Sequence, residues 1–263
     1  MPQIEVNGVS LHYIFDGPEQ APVLMFANSL GTDLDLWDGQ TPEFGALFRI
    51  LRYDMRGHGK SSEVPGEYTL ADLGREALGL IDALGLERVH FCGLSLGGMV
   101  GQWLGERHGN RLASLILCAT HCRIGTPELW NERIALVLSR GMTALVDQLL
   151  PRWFTEEFRR REPREIEHVV QMLLDTSPIG YAGCCAAIRD ADLCADLGRI
   201  TVPTLCIAGR YDPVTPPELM ETLAGRITEA RLVVLEAAHL VNVEACAAFN
   251  DALGRFFVDI GAL

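Results

Sequence analysis

The chain has 263 residues, of which 48% are hydrophobic, and a formal net charge of −13. That length and apolar content predict a globular chain able to bury a sizeable core, and the acidic balance argues against a nucleic-acid partner, which needs basic surface. No apolar run is long enough to span a bilayer and no charged-then-apolar leader precedes the first strand, so a soluble, cytoplasmic protein with no membrane partner is expected.

Two alternating stretches, Gln3 to Val6 and Val9 to Phe15, flank Asn7-Gly8, a strong hairpin signal. Four short apolar runs follow, around Val23–Phe26, Ile50–Tyr53, Val89–Phe91 and Leu115–Leu117, each bounded by loop residues. Such runs suit parallel strands covered on both faces. Between the second and third, Leu70, Leu73, Ala77, Ile81 and Leu84 mark one helix face, and Thr69 with Asp72 supplies its start signal. After Cys122 the texture becomes helical, with stripes at Trp130, Ile134, Val137 and Leu138 and at Ile166, Val169, Val170 and Leu173. Strand texture returns at Val202–Ile207 and Leu232–Leu235, and the chain closes with a helix whose face is Phe249, Ala252, Leu253 and Phe256. The expected organisation is a first core segment at 1–121, a helical cap at 122–198 and a second core segment at 199–263.

Gly93-Leu94-Ser95-Leu96-Gly97 sits between a short buried strand and a helix. As a string, Gly-x-Ser-x-Gly arises by chance in roughly one chain of this size in ten, with each residue near ~7% of positions. The strand–turn–helix context is the stronger signal. A serine on a turn so tight needs neighbours at −2 and +2 that lack Cβ atoms. Ser95 is a weak nucleophile alone; it needs a base, and the base needs an orienting carboxylate. Asp212, after the strand ending at Ile207, and His239, after the last strand, supply them in the order serine, acid, histidine. Both fall in loops after carboxyl ends of strands, where open α/β sheets carry their sites. Oxyanion donors are expected from the backbone N–H of Leu96 and of Leu30, in the loop Asn28-Ser29-Leu30-Gly31. The orientation of that loop is expected to fall to the Asn28 and Ser29 side chains.

Other motifs carry less. Gly59-Lys60-Ser61 looks like the end of a phosphate-binding loop, but Asp54 stands where the first glycine would be and would repel phosphate. His58 reads as a structural or exposed loop residue, His12, His108 and His168 as surface, and His121 as a candidate lining residue at the core–cap junction. The eight cysteines, in a chain with no leader, read as buried and reduced. Cys118 to Cys122 has no second ligand pair at zinc spacing, so no metal site is expected.

The Asp54–Ser62 loop, the Ser95 elbow, the Gly209-x-x-Asp212 turn and His239 together make the chain resemble the α/β-hydrolase superfamily over its whole length. The implied fold is a mostly parallel eight-stranded sheet with helices on both faces and a helical cap insert. Within it, Asn28–Thr32, Leu96–Met99 and Arg123-Ile124-Gly125-Thr126-Pro127, followed by Trp130-Asn131 and Arg133, resemble the 3-oxoadipate enol-lactonases of bacterial aromatic catabolism. The resemblance implies a serine hydrolase acting on a small anionic lactone without metal or organic cofactor. Trp130, Arg133 and Arg123 are then the candidates to hold the substrate, the cations serving its carboxylate. Carboxylesterases, perhydrolases and carbon–carbon bond hydrolases share the core pattern, and a small-molecule receptor on the same fold is the alternative of a different class. Oligomeric state is not readable from the chain.

Overall fold

In the computed structural model, which describes residues 2–263, the strands are β1 (Gln3–Val6), β2 (Val9–Asp16), β3 (Val23–Ala27), β4 (Arg49–Tyr53), β5 (Val89–Leu94), β6 (Leu112–Cys118), β7 (Thr204–Gly209) and β8 (Arg231–Leu235). They form one eight-stranded sheet in the order β1-β2-β4-β3-β5-β6-β7-β8. The hairpin and β2–β4 pair antiparallel, and every other neighbour pairs parallel. In the hairpin Val6 pairs with Val9, and both Asn7 (φ 53°) and Gly8 (φ 82°) take the left-handed conformation that a two-residue turn needs.

The helices are α1 (Thr41–Phe44), α2 (Leu70–Ala83), α3 (Leu96–His108), α4 (Pro127–Arg140), α5 (Val146–Trp153), α6 (Glu156–Arg161), α7 (Pro163–Asp175), α8 (Pro178–Asp190), α9 (Pro217–Ala224), α10 (Val241–Glu244) and α11 (Cys246–Asp259). Among the described residues no helix is long and apolar enough to cross a membrane. Thr69 and Asp72 close a reciprocal capping box on α2, as the sequence signal requires.

Successive side chains of a strand point to opposite faces, so β5 shows which helix covers which side. Phe91 lies under α3, where Gly101 has no Cβ to hold the helix off its ring. His90 points the other way and meets Phe257 of α11, ring centroids 5.3 Å apart. Helices therefore cover both faces of the central strands.

Helices α4–α8 all lie between β6 and β7, with α4 packed along α8. The apolar stripe of α4 is narrower than its periodicity implies: Trp130 and Val137 are buried, whereas Leu138 is 56% exposed. The α8 helix touches the core at Gly57, where a Cβ on Gly180 would come within 2.3 Å of the Gly57 Cα.

Two sequence expectations are corrected here. Cys122 and Cys194 form a disulfide across 72 residues, so the cysteines are not all reduced. The chain leaves the sheet after β6 and returns at its neighbour β7, which brings the two ends of the helical segment together. The other six cysteines are free, five of them buried. His12 is not a surface residue but fully buried, because β2 pairs with β4 through Tyr13 and Tyr53 and sets His12 beside Asp54. Its Nδ1 lies 2.7 Å from Asp54 Oδ2.

Candidate active site

The turn after β5 puts Ser95 at φ 55°, ψ −111°, a backbone conformation that costs a non-glycine residue on the order of 1–3 kcal/mol. The surroundings over-determine it. The Ser95 N–H donates to the Cys118 carbonyl (2.8 Å), and its own carbonyl accepts from Thr120 Oγ1 (2.8 Å). A Cβ on Gly93 would lie 2.1 Å from the Gly97 carbonyl oxygen, and one on Gly97 would lie 2.2 Å from that of Ala27. Both glycines are therefore sterically required, and Ser95 Oγ stands at the C-terminal edge of the sheet.

β7 and β8 deliver the other two groups. The Asp212 carboxylate is fully engaged: Oδ1 accepts from the N–H groups of Val214 (2.7 Å) and Thr215 (3.1 Å). Its Oδ2 accepts from Thr215 Oγ1 and from His239 Nδ1, both at 2.7 Å. Burial works to raise this carboxyl, but His239, the Thr215 hydroxyl and the Val214 N–H outweigh it and hold Asp212 below the ordinary carboxylate range. An ionised Asp212 places the histidine proton on Nδ1, which leaves Nε2 bare. Nε2 lies 2.9 Å from Ser95 Oγ, positioned to accept its proton. All three side chains are buried.

The loop after β3 runs beside the serine. Asn28 anchors it at both ends of its amide: Nδ2 donates to the Tyr53 carbonyl (3.1 Å) and Oδ1 accepts from Trp37 Nε1 (3.2 Å). The Asn28 carbonyl accepts the Gly97 N–H at 3.0 Å, which ties the loop to the elbow. Asp54 Oδ1 accepts the Leu34 N–H at 2.8 Å, and His58 Nε2 accepts the Gly31 N–H at 3.0 Å. Among the described residues no acceptor takes the Leu30 N–H, and the Leu96 N–H, opening α3, has no intrahelical partner. Two buried donors are thus left open beside Ser95.

Above Ser95 and His239 lies a cavity of about 180 Å³ walled by Trp130, Arg133, Leu149, Arg152, Trp153 and Tyr181. It is small against the ~300–1,000 Å³ of typical ligand pockets, so it suits a small molecule. Arg133 lies over the Trp130 ring, 5.0 Å from its centroid, and Trp130 Nε1 donates to the Ile124 carbonyl at 2.6 Å. Burial raises the Tyr181 hydroxyl well above its ordinary pKa, partly opposed by the neighbouring Arg133 guanidinium. Arg133 and Arg152 form no ion pair among the described residues.

Of the three cap residues singled out from sequence, Trp130 and Arg133 meet at this cavity and Arg123 does not. Arg123 is 61% exposed and sits 3.7 Å from Asp192 on the surface, because the chain turns outward after the disulfide. His121 lies outside the cavity wall as well, its Nδ1 3.0 Å from the Arg123 carbonyl. Sequence reasoning missed Arg152, Trp153 and Tyr181. The first two form one end of α5, and no motif marks them.

It also missed Glu244. Its carboxylate accepts the Ala238 N–H (2.9 Å), the Thr155 N–H (3.2 Å) and the Thr155 hydroxyl. The Leu240 N–H donates to the Trp153 carbonyl at 3.1 Å. The residues on both sides of His239 are therefore tied to the segment that carries Arg152 and Trp153.

A family model described as the alpha/beta hydrolase fold matches residues 22–245. The chain is 39% identical over 250 residues to 3-oxoadipate enol-lactonase 2 of Acinetobacter baylyi, covering 95% of this chain and 94% of the relative. It is 36% identical to 3-oxoadipate enol-lactonase 1 of the same organism, covering 97% and 95%. The crystal structure of the enol-lactonase from Burkholderia xenovorans superposes with a TM-score of 0.96 at 42% identity, covering 98% of this chain and all of that one.

Proposed function

The chain belongs to the α/β-hydrolase fold family and, within it, to the 3-oxoadipate enol-lactonases, and on that premise we propose that it opens the ring ester of 3-oxoadipate enol-lactone to 3-oxoadipate in bacterial aromatic catabolism. The observation that carries this reading is the serine–histidine–aspartate contact line beneath a small cavity whose two arginines have no acidic partner among the described residues.

Ser95 is the nucleophile, His239 the base and Asp212 the group that holds the imidazole in its working tautomer. Ser95 Oγ attacks the ring carbonyl while His239 Nε2 takes its proton. The Leu30 and Leu96 N–H groups hold the charge that develops on the carbonyl oxygen. Collapse of the tetrahedral adduct breaks the ring C–O bond, and imidazolium returns its proton to the departing oxygen. The leaving group is an enol, a better one than an alcohol, and its conversion to the ketone draws the reaction forward. His239 then takes a proton from water, the hydroxide attacks the acyl-serine carbonyl, and Ser95 leaves with the proton from His239.

Arg133, with Trp130 beneath it, binds the substrate carboxylate, and Arg152 adds a second cation to the same wall. The helical segment 122–198 acts as the cap over core segments 1–121 and 199–263, and the protein works in the cytoplasm. The test is to supply the enol-lactone and follow the loss of its ultraviolet absorbance. Wild-type protein should turn it over, and Ser95→Ala should lose at least about 10³-fold in rate. Full activity in Ser95→Ala would remove the mechanism. Turnover of neutral esters with none of the lactone would make the protein a carboxylesterase.

A further inference from the structure

The second oxyanion donor belongs to a loop, not to a helix, and something must hold it still. Leu30 is followed by Gly31, whose φ of +79° turns the chain beneath the cap. A Cβ there would come within 2.8 Å of Leu173 Cδ1 and 3.1 Å of the Tyr181 ring, so the turn is pressed against α7 and α8. Its N–H belongs to the peptide unit that joins Leu30 to Gly31, and one side chain accepts it: His58 Nε2, at 3.0 Å.

The chemistry of that contact is constrained. An N–H faces Nε2, so Nε2 must be the bare nitrogen, and the proton sits on Nδ1, 3.1 Å from the Arg56 carbonyl that accepts it. Burial pushes His58 below the ordinary histidine range, against the Arg56 carbonyl and the nearby Asp54 carboxylate, and so favours the neutral ring that can accept. His58 is 2% exposed and is not among the residues that wall the cavity.

We propose that His58 is a positioning residue for the hydrolysis: by accepting the Gly31 N–H it fixes the peptide that follows Leu30 and, together with the Thr32 N–H and hydroxyl on the Ser29 carbonyl that precedes it, aims the second oxyanion donor. This rests on the reading above, in which the Leu30 N–H serves the oxyanion. The angle of a donor matters most where charge is greatest, so the effect falls on the transition state and spares ground-state binding.

Three substitutions separate aim from packing. The oxygen of Gln at 58 can reach the place of Nε2. The shorter amide of Asn can meet the Arg56 carbonyl but not Gly31, and Leu can do neither. His58→Leu and His58→Asn should lower kcat by about 10- to 300-fold, short of or within the ~10²–10³ that follows outright loss of a donor, with KM within about threefold. His58→Gln should recover most of kcat. A boronic acid that adds to Ser95 and projects an oxygen into the oxyanion site should bind His58→Leu more weakly by the same factor as the loss in kcat. Adipate, a ground-state ligand for the arginine wall, should bind as in wild type.

Wild-type kcat in His58→Leu would overturn the proposal. So would equal kcat in the Gln and Asn variants, or a parallel loss of adipate and boronate binding, which would mark a general packing role. These outcomes are independent of Ser95→Ala: an inactive Ser95→Ala beside an unimpaired His58→Leu removes only the role of His58.

Discussion

At the scale of single residues, charge decides what the cavity accepts. The chain carries −13, so its overall field repels an anion, and only a cation in a sheltered place reverses that locally. Arg133 is such a cation: its guanidinium stacks on Trp130 and faces Tyr181, with no carboxylate to neutralise it among the described residues. In the proposed reading its contact with substrate is remote from the scissile bond and acts through binding and orientation. Arg133→Leu should cost roughly 2–4 kcal/mol for the anionic enol-lactone, a loss of about 30- to 1,000-fold in kcat/KM, because a carboxylate is left partly buried and unpaired. A neutral activated ester should be cleaved nearly as before. Equal losses on both substrates would give Arg133 a structural role. No loss on either would leave Arg152 to hold the carboxylate.

At the scale of elements, the cap and the histidine loop are one mechanical unit. Glu244 on α10 gathers three donors, two from Thr155 between α5 and α6 and one from Ala238 beside His239. Both its oxygens are used as acceptors, so Glu244→Gln must turn an amide group toward an N–H or a hydroxyl. An unpaired buried donor costs about 1–3 kcal/mol. The loss is local and should appear as faster amide hydrogen exchange at 238–240 and 153–155, with kcat reduced by about tenfold as His239 loses its aim. Exchange as slow as in wild type at both segments would show that the carboxylate is not what couples them.

At the scale of the whole molecule, stability against pH is a sum of opposing buried groups. Burial, then the Arg88 charge, lowers His90 to about 4. Its folded pKa lies below the ordinary value, so as pH falls the unfolded chain takes up the proton first and stability is lost from about pH 6.5 down to about 4. Glu106 runs the other way. Burial raises it to about 7 against the attraction of Arg107, so the folded chain takes up the proton first and gains stability on acidification until about pH 4.5. The two nearly offset between pH 7 and pH 5, and a wild-type profile alone hides both. His90→Gln should therefore gain about 2 kcal/mol relative to wild type as pH falls over that interval, read by urea unfolding. Parallel profiles would mean that His90 does not titrate as its burial implies.

The catalytic core was legible because its requirements are local. Gly93 and Gly97 flank Ser95 since their Cβ atoms would strike backbone within the same turn and the neighbouring strand. Thr69 and Asp72 cap a helix three residues apart, and Asn7-Gly8 sets a hairpin from its own dihedral angles. The β/α alternation, read with the order serine, acid, histidine, implied the sheet and the edge at which the three side chains meet. Contacts between distant segments left no such trace. Arg152 reaches the cavity wall through the packing of α5, and Arg123, next to Ile124 of the same wall, turns out to solvent. Cys122 finds Cys194, and His12 finds Asp54, because strands far apart in the chain are neighbours in the sheet. Short-range sterics and hydrogen bonding write themselves into adjacent residues; which of two equally polar side chains faces a cavity is settled only when several helices pack at once.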